Sequence, residues 1–484
     1  MAWEFYGRNQ ELERLDEVLD RGRWAFVKIS GRRRIGKTAL IREALGRHPE
    51  RKSFYVQIPD SEPAGVLAAV HGFMETFELD KKRPGSLLDF AQLIRELAEE
   101  GYIIVLDEFQ YFHRKTLGEF PSFLQAVVDG CQARSNEVPG CLIVLGSIHA
   151  EMTALLEDQR APLFNRLTDR VELGHLDIGS VMEILRAHGK GTPEELLFYW
   201  SLFEGVPKFY RDCYEQEVLG KERQALLRRM FFESSSPLRN EAENWFLHEL
   251  RGRYNMVLQF IAENPGSTNG DIEARLRVLD SGQAKQVGGY LAVLTGNYRM
   301  VERRLPIFAK PNSRSGRYYI ADNFLRSWLT ALAKPVASVQ FRPMDDLIAQ
   351  ADERLKTAEG FSLERLAAAL YEERSRKGLR GFALTKRIDG YWDKGGVELD
   401  LVALNEDEGV IRFGSCKRDP EQHTRGELEK YDGHIDRFLN EKVKYKAWSK
   451  ERTSITVRHT DGSKQAAADA GYLAEDLVSL TNGL

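Results

Sequence analysis

The sequence predicts a multidomain α/β protein: a parallel sheet carrying a phosphate-binding loop, followed by a helical segment and two smaller modules. Three observations predict it. The first is Gly31-Arg32-Arg33-Arg34-Ile35-Gly36-Lys37-Thr38, which follows an apolar run at 24–30 and leads into helix-forming residues at 39–45. Strand, glycine loop and helix in that order are the context in which G-x-x-x-x-G-K-[ST] binds phosphate. The second is the continuously apolar run 102–106, which suits a strand buried on both faces and ends in Asp107-Glu108. The third is length, because 484 residues exceed what one hydrophobic core organises.

Composition narrows the classes. Hydrophobic content of 42% and charged content of 29% are ordinary for a soluble chain. A net charge of −4 argues against a uniformly basic, nucleic-acid-coating protein but leaves room for a local basic patch. Cys131, Cys141, Cys213 and Cys416 show no paired spacing, so neither a zinc cluster nor a disulfide framework follows. A reducing cytosol suits them. The N-terminus lacks a basic segment followed by an apolar one, and the longest apolar stretch, near 196–200, is too short to span a bilayer. The expectation is a soluble, cytoplasmic protein with no membrane partner.

In chain order, Gly7-Arg8 makes a turn and an amphipathic helix starts near Glu11. In the phosphate loop, glycines let backbone N–H groups approach the phosphates, and the following helix N-terminus adds positive potential. Lys37 then bridges the β- and γ-phosphates of ATP, Thr38 holds Mg²⁺, and the loop from Gly31 through Arg34, Ile35, Gly36 and Ala39 wraps the nucleotide. Residues 52–58 read as a second strand and 102–108 as a third. Acids at the carboxyl end of such a strand lie where open parallel sheets bind ligands. There Asp107 orders Mg²⁺ through its water shell, and Glu108 orients and polarises the attacking water. A fourth strand, 141–147, ends at Ser147, with His149 behind it. Residues 162–173 read as a loop and last strand with Arg166 and Arg170. From about 180 to 230 the pattern is helical, with Pro193 in a first turn and Gly205-Val206-Pro207 as punctuation.

Gly7-Arg8, the loop from Gly31 to Thr38, Asp107-Glu108-Phe109-Gln110 and Gly205-Val206-Pro207 together resemble the archaeal-type AAA+ ATPases. These lie close to the signal-transduction ATPases and occur in archaea and bacteria. The resemblance implies a P-loop ATPase core over 1–178 and a helical lid over 179–243 that closes on the nucleotide. It also implies an adenine-side role for Gly7-Arg8 and a γ-phosphate sensor at Ser147. Arg166, or Arg170 as alternate, becomes an arginine finger, which if supplied by a neighbour implies a homo-oligomer.

Residues 244–335 read as a winged helix, which the same family has after its lid. Helix 255–262 is broken by Asn264-Pro265-Gly266, and Ser267 or Thr268 caps a helix at 271–276. A third helix runs over 283–294, and strands at 298–304 and 317–320 flank a tip at 312–316. Such modules place a helix in the DNA major groove and basic wing residues on phosphates, here Lys285, Arg314 and Arg317. They also serve as internal packing modules, and the third helix carries no arginine.

After linkers at Lys334-Pro335 and Arg342-Pro343, residues 345–484 show a helix at 362–370 and strands at 382–386, 397–404 and 410–417. This order resembles the PD-(D/E)XK nuclease core, which implies a metal site at Asp400 and Lys417 with Glu398 and Glu364 as further carboxylates. Alternate strand residues share a face, so Glu398 and Asp400 point together, as do Ser415 and Lys417. Ser415 stands where that motif has an acid, so a folded relic used as a binding surface is the other reading. Arg374, Arg376, Lys377, Arg380, Lys386 and Arg387 form a basic cluster that suits nucleic acid or a solvated helix end.

Three functions are therefore open: an ATP-hydrolysing, Mg²⁺-dependent switch acting on double-stranded DNA; a nucleotide-gated scaffold with slow turnover; and an ATP-regulated, metal-dependent endonuclease. All three take up ATP and hold ADP after turnover.

Overall fold

The computed structural model describes residues 2–243, 253–279 and 287–484. Its contacts divide the chain into two compact units, one of residues 4–176 and 206–208, the other of residues 177–205 and 209–484 with the extreme N-terminus.

The first unit is built on five strands: β1 (Ala25–Gly31), β2 (Ser53–Gln57), β3 (Ile103–Asp107), β4 (Cys141–Gly146) and β5 (Asp169–Leu173). All pair in parallel in the order β2-β3-β4-β1-β5. Apolar runs with no polar alternation form the central strands because helices cover both faces. β3 and β4 are accordingly buried at every residue. Phe112 stacks on Phe120 at 4.0 Å between ring centroids, and Phe90 stacks on Phe120 at 5.3 Å. Each fully buried phenylalanine contributes about 1.5–3 kcal/mol through the area it removes from water. The order sets β4 between the loop-bearing β1 and the acid-bearing β3, so three strand ends meet at one edge.

The second unit begins with the helices Ile178–His188 and Pro193–Phe203. Thr192 caps the latter, accepting from Glu195 N–H at 3.2 Å, and Pro193 occupies its first turn, where a missing N–H costs nothing. Helices Arg253–Glu263, Asn269–Leu279 and Val287–Gly296 precede an antiparallel hairpin, β6 (Val301–Arg304) and β7 (Arg317–Ile320). Thr268 caps the second of these helices. Gln283 and Lys285 lie outside the described residues.

The tail departs from the sequence reading in three places. Its first helix runs over Met344–Arg376, 33 residues, far beyond the expected 362–370. Pro335 sits inside a short helix, Ala333–Ala337, rather than in a linker. Residues 382–386 are not a strand: Phe382 is buried against Arg412, and Leu384 N–H donates to Ser375 Oγ at 2.8 Å instead of to a ladder. The sheet consists of β8 (Asp389–Trp392), β9 (Glu398–Asn405), β10 (Val410–Cys416), β11 (Ser449–Thr456) and β12 (Leu473–Asp476). β8, β9 and β10 pair antiparallel; β10, β11 and β12 pair in parallel.

Charged bonds join the parts of this unit. Glu373 accepts from Ile178 N–H at 2.7 Å and Gly179 N–H at 3.0 Å, closing the N-terminus of the helix Ile178–His188. Arg223 binds Asp352 at 2.7 Å and also Glu359, which Arg418 reaches from the tail at 2.8 Å. Arg317 on β7 pairs with Glu398 at 2.6 Å and lies over the Trp392 ring at 4.8 Å. All four cysteines are free and buried. No helix among the described residues is long and apolar enough to cross a membrane.

Candidate active site

Between β1 and the helix Lys37–Arg47 the chain turns through a left-handed Arg34 (φ 66°) and a left-handed Gly36 (φ 98°) that caps the helix. Glycine is favoured at the second position because its φ lies where a side chain is strained. The loop's N–H groups are thereby turned inward as an anion cradle at a helix N-terminus. Ile35 is fully buried and anchors the loop; Ala39 lies in the helix's first turn. Lys37 is 6% exposed and donates to the carbonyls of Gly31 and Arg32, each at 3.0 Å. Burial drives its ammonium down to about 8, against the pull of Glu108 and Asp107.

Asp107 closes β3 within reach of the same helix. Its Oδ2 accepts from Thr38 Oγ1 at 2.8 Å and from Tyr55 Oη at 2.7 Å, while Oδ1 accepts from Glu108 N–H at 2.8 Å. Burial and the adjacent carboxylate push the Tyr55 phenol up, so it stays a donor. Glu108 takes a left-handed backbone (φ 57°) as the strand breaks into the turn Phe109–His113. Its carboxylate accepts from the Gln110 side-chain amide, whose oxygen accepts from Ser147 N–H at 3.3 Å. Ser147 thus stands at the end of β4, between the loop and the acids. His149 opens the next helix.

Other sequence-selected residues sit elsewhere or do something else. Gly7 (φ 65°) and Arg8 (φ 67°) form a doubly left-handed turn, and Arg8 reaches Ile35 O at 3.2 Å and Gly174 O at 2.6 Å. It therefore pins the phosphate loop to the end of β5. Arg166 pairs with Asp129 through Nε at 2.6 Å and through Nη2 at 3.0 Å. Arg170 is exposed on β5. Sequence reading gave no role to Tyr55. Alternation puts it on one face of its strand, but only the β2–β3 register, Tyr55 beside Val105, brings that face to Asp107.

In the tail, Glu364 on the long helix faces Asp400 on β9. Burial, Asp400 and Glu398 hold the Glu364 carboxyl well above its usual range. Burial lifts Asp400 to about 6, resisted by Cys416 N–H at 2.8 Å and by Lys417. Ser415 is buried opposite, and Glu398 is turned to Arg317. Among the described residues no three His, Cys, Asp or Glu side chains group to hold a metal. Half of the basic cluster is engaged within the protein: Arg374 binds the carbonyls of Leu480 and Asn482, Lys377 binds Glu373 and Asp177, and Lys386 binds Glu406, while Arg376, Arg380 and Arg387 are exposed.

Residues 5–209 match the family described as an ATPase domain predominantly from Archaea. That part of the chain is accordingly a nucleotide-binding ATPase domain with a P-loop. An uncharacterized protein of Methanocaldococcus jannaschii is 26% identical over 418 residues, 85% of this chain and 87% of the relative. Two solved structures are similar. One is a Walker-type ATPase of Pyrococcus abyssi, 19% identical, covering 67% of this chain and 96% of that one, TM-score 0.48. The other is an ORC2 protein of Aeropyrum pernix in ADPNP–ADP complexes, 17% identical, covering 73% and 95%, TM-score 0.49.

Proposed function

We propose that the protein is an ATP-driven switch that hydrolyses ATP at the edge where β1, β4 and β3 end, and whose second unit meets double-stranded DNA. The observation that carries the hydrolytic reading is the Thr38–Asp107 bond at 2.8 Å, which joins the phosphate loop to the acid strand in one site. The loop N–H groups and Lys37 grip the β- and γ-phosphates, with the ammonium exchanging Gly31 and Arg32 carbonyls for phosphate oxygens. Thr38 and Asp107, with Tyr55 fixing the carboxylate, are the oxygen donors that fit Mg²⁺, which would neutralise charge building on the phosphates. Glu108 holds the attacking water and takes its proton as the water oxygen bonds to the γ-phosphorus and the bond from that phosphorus to the bridging oxygen breaks, releasing ADP and phosphate. Ser147 senses the γ-phosphate. Arg166 serves a neighbouring site in a homo-oligomer only after leaving Asp129. Measured turnover is expected to vanish in Glu108→Gln with ATP binding retained, and to change with added duplex if DNA is the partner. Turnover unaffected by that substitution would remove Glu108 from the reaction.

The tail fits a folded binding surface better than a metal-dependent nuclease. Ser415 offers no charge, and Glu398 is held by Arg317. Plasmid incubated with the protein and Mn²⁺ should stay intact; cleavage that disappears in Asp400→Ala would restore the nuclease reading.

A further inference from the structure

We propose that Gln110 is a positioning residue for ATP hydrolysis, tying the aim of the Glu108 carboxylate to the loop after β4. The proposal rests on the ATPase reading above and adds a working part to it.

Gln110 is 1% exposed and lies two residues beyond Glu108, in a turn packed against the helix His149–Leu156. Its Nε2 donates to Glu108 Oε2, and its Oε1 accepts from Ser147 N–H at 3.3 Å. The orientation of the amide follows from its partners. Turned over, its oxygen would face a carboxylate and its NH₂ would face an N–H, both repulsive. One rigid, planar group therefore spans the acid and the sensing strand end. The path of that strand end is also tightly defined: a Cβ on Gly146 would lie 2.2 Å from Met152 Sδ and 3.0 Å from Gln110 Oε1.

At Glu108 the left-handed backbone is fixed by the end of β3, so side-chain torsion and this single amide set where the carboxylate points. A shift of Ser147 moves the N–H on which the amide oxygen hangs, and the amide carries that shift to Oε2. The same bond thus governs the direction of the group that meets water. Gln110 itself is buried, so its amide is held by these two partners and couples them.

The test uses the full-length protein carrying Gln110→Leu or Gln110→Glu, with ATP turnover, ATP affinity and thermal unfolding measured on each. For Gln110→Leu, kcat should fall about 10- to 100-fold while KM and affinity stay within about two-fold. Gln110→Glu keeps the shape but donates only when neutral, so its turnover should recover as pH falls, a response the wild type lacks. Should Gln110→Leu fail to fold, this isosteric variant carries the test. Turnover retained in Gln110→Leu, kcat and affinity falling together with the unfolding temperature, or a wild-type pH profile in Gln110→Glu would each overturn the role. In those cases a wild type that turns over and a dead Glu108→Gln leave the ATPase reading standing. A wild type with no turnover overturns both.

Discussion

Lys37 shows what its burial costs and what a ligand would restore. Its ammonium, held by two carbonyls of its own loop, is lowered from the usual 10.5 to about 8, chiefly by desolvation. Between about pH 8 and 10.5 the unfolded chain therefore binds more protons at this position than the folded one, so this group makes stability rise with pH across that window. A triphosphate reverses the preference by favouring the charged lysine. Nucleotide binding should then take up a proton near pH 9 and almost none at pH 7, with affinity weakening above pH 8. Calorimetry in two buffers of different ionisation enthalpy reads the uptake directly; equal uptake at both pH values would contradict it. The residues of this site that the sequence disclosed are those that are contiguous, the loop and the acid pair. Tyr55 and the engagements of Gln110 depend on which strands become neighbours, which spacing along the chain does not encode.

At the scale of elements, the N-terminus of the helix Ile178–His188 illustrates a cap borrowed from afar. Asp177 accepts from Ser180 N–H at 2.8 Å, as its sequence position suggests. The two earlier donors, on Ile178 and Gly179, are satisfied instead by Glu373, 2% exposed and nearly two hundred residues away. Glu373→Ala should cost about 1–3 kcal/mol, since it strands two buried donors and one partner of Lys377. Thermal unfolding measures this, and an unchanged midpoint would show that water replaces the carboxylate. The central strands β3 and β4 were legible because burial on both faces leaves apolar runs, while the edge strands β2 and β5 alternate buried and open residues. The tail sheet was harder to read. β11 starts with Ser449, Lys450, Glu451 and Arg452 on an exposed stretch, so it carries no apolar signal, whereas 382–386 carries one through Phe382, which packs on Arg412 without pairing.

For the whole molecule, composition and motif spacing gave the α/β class and the ATPase part, but not the way the later parts are joined. Arg223 reaches Glu359 across 136 positions and Arg317 reaches Glu398 across 81. Both bonds are between charges that look solvent-facing when read along the chain. The same holds for part of the basic cluster near 374–387: Arg374, Lys377 and Lys386 are engaged by carboxylates and carbonyls, while Arg376, Arg380 and Arg387 stay exposed. The switch reading depends on the first unit taking up a nucleotide. Equilibrium uptake of labelled ATP by the wild type and by Lys37→Ala tests that most directly. Saturable uptake by the wild type, weakened about 10- to 100-fold on loss of the charged donor, is the expected result. No uptake by the wild type, or uptake indifferent to Lys37, would contradict it.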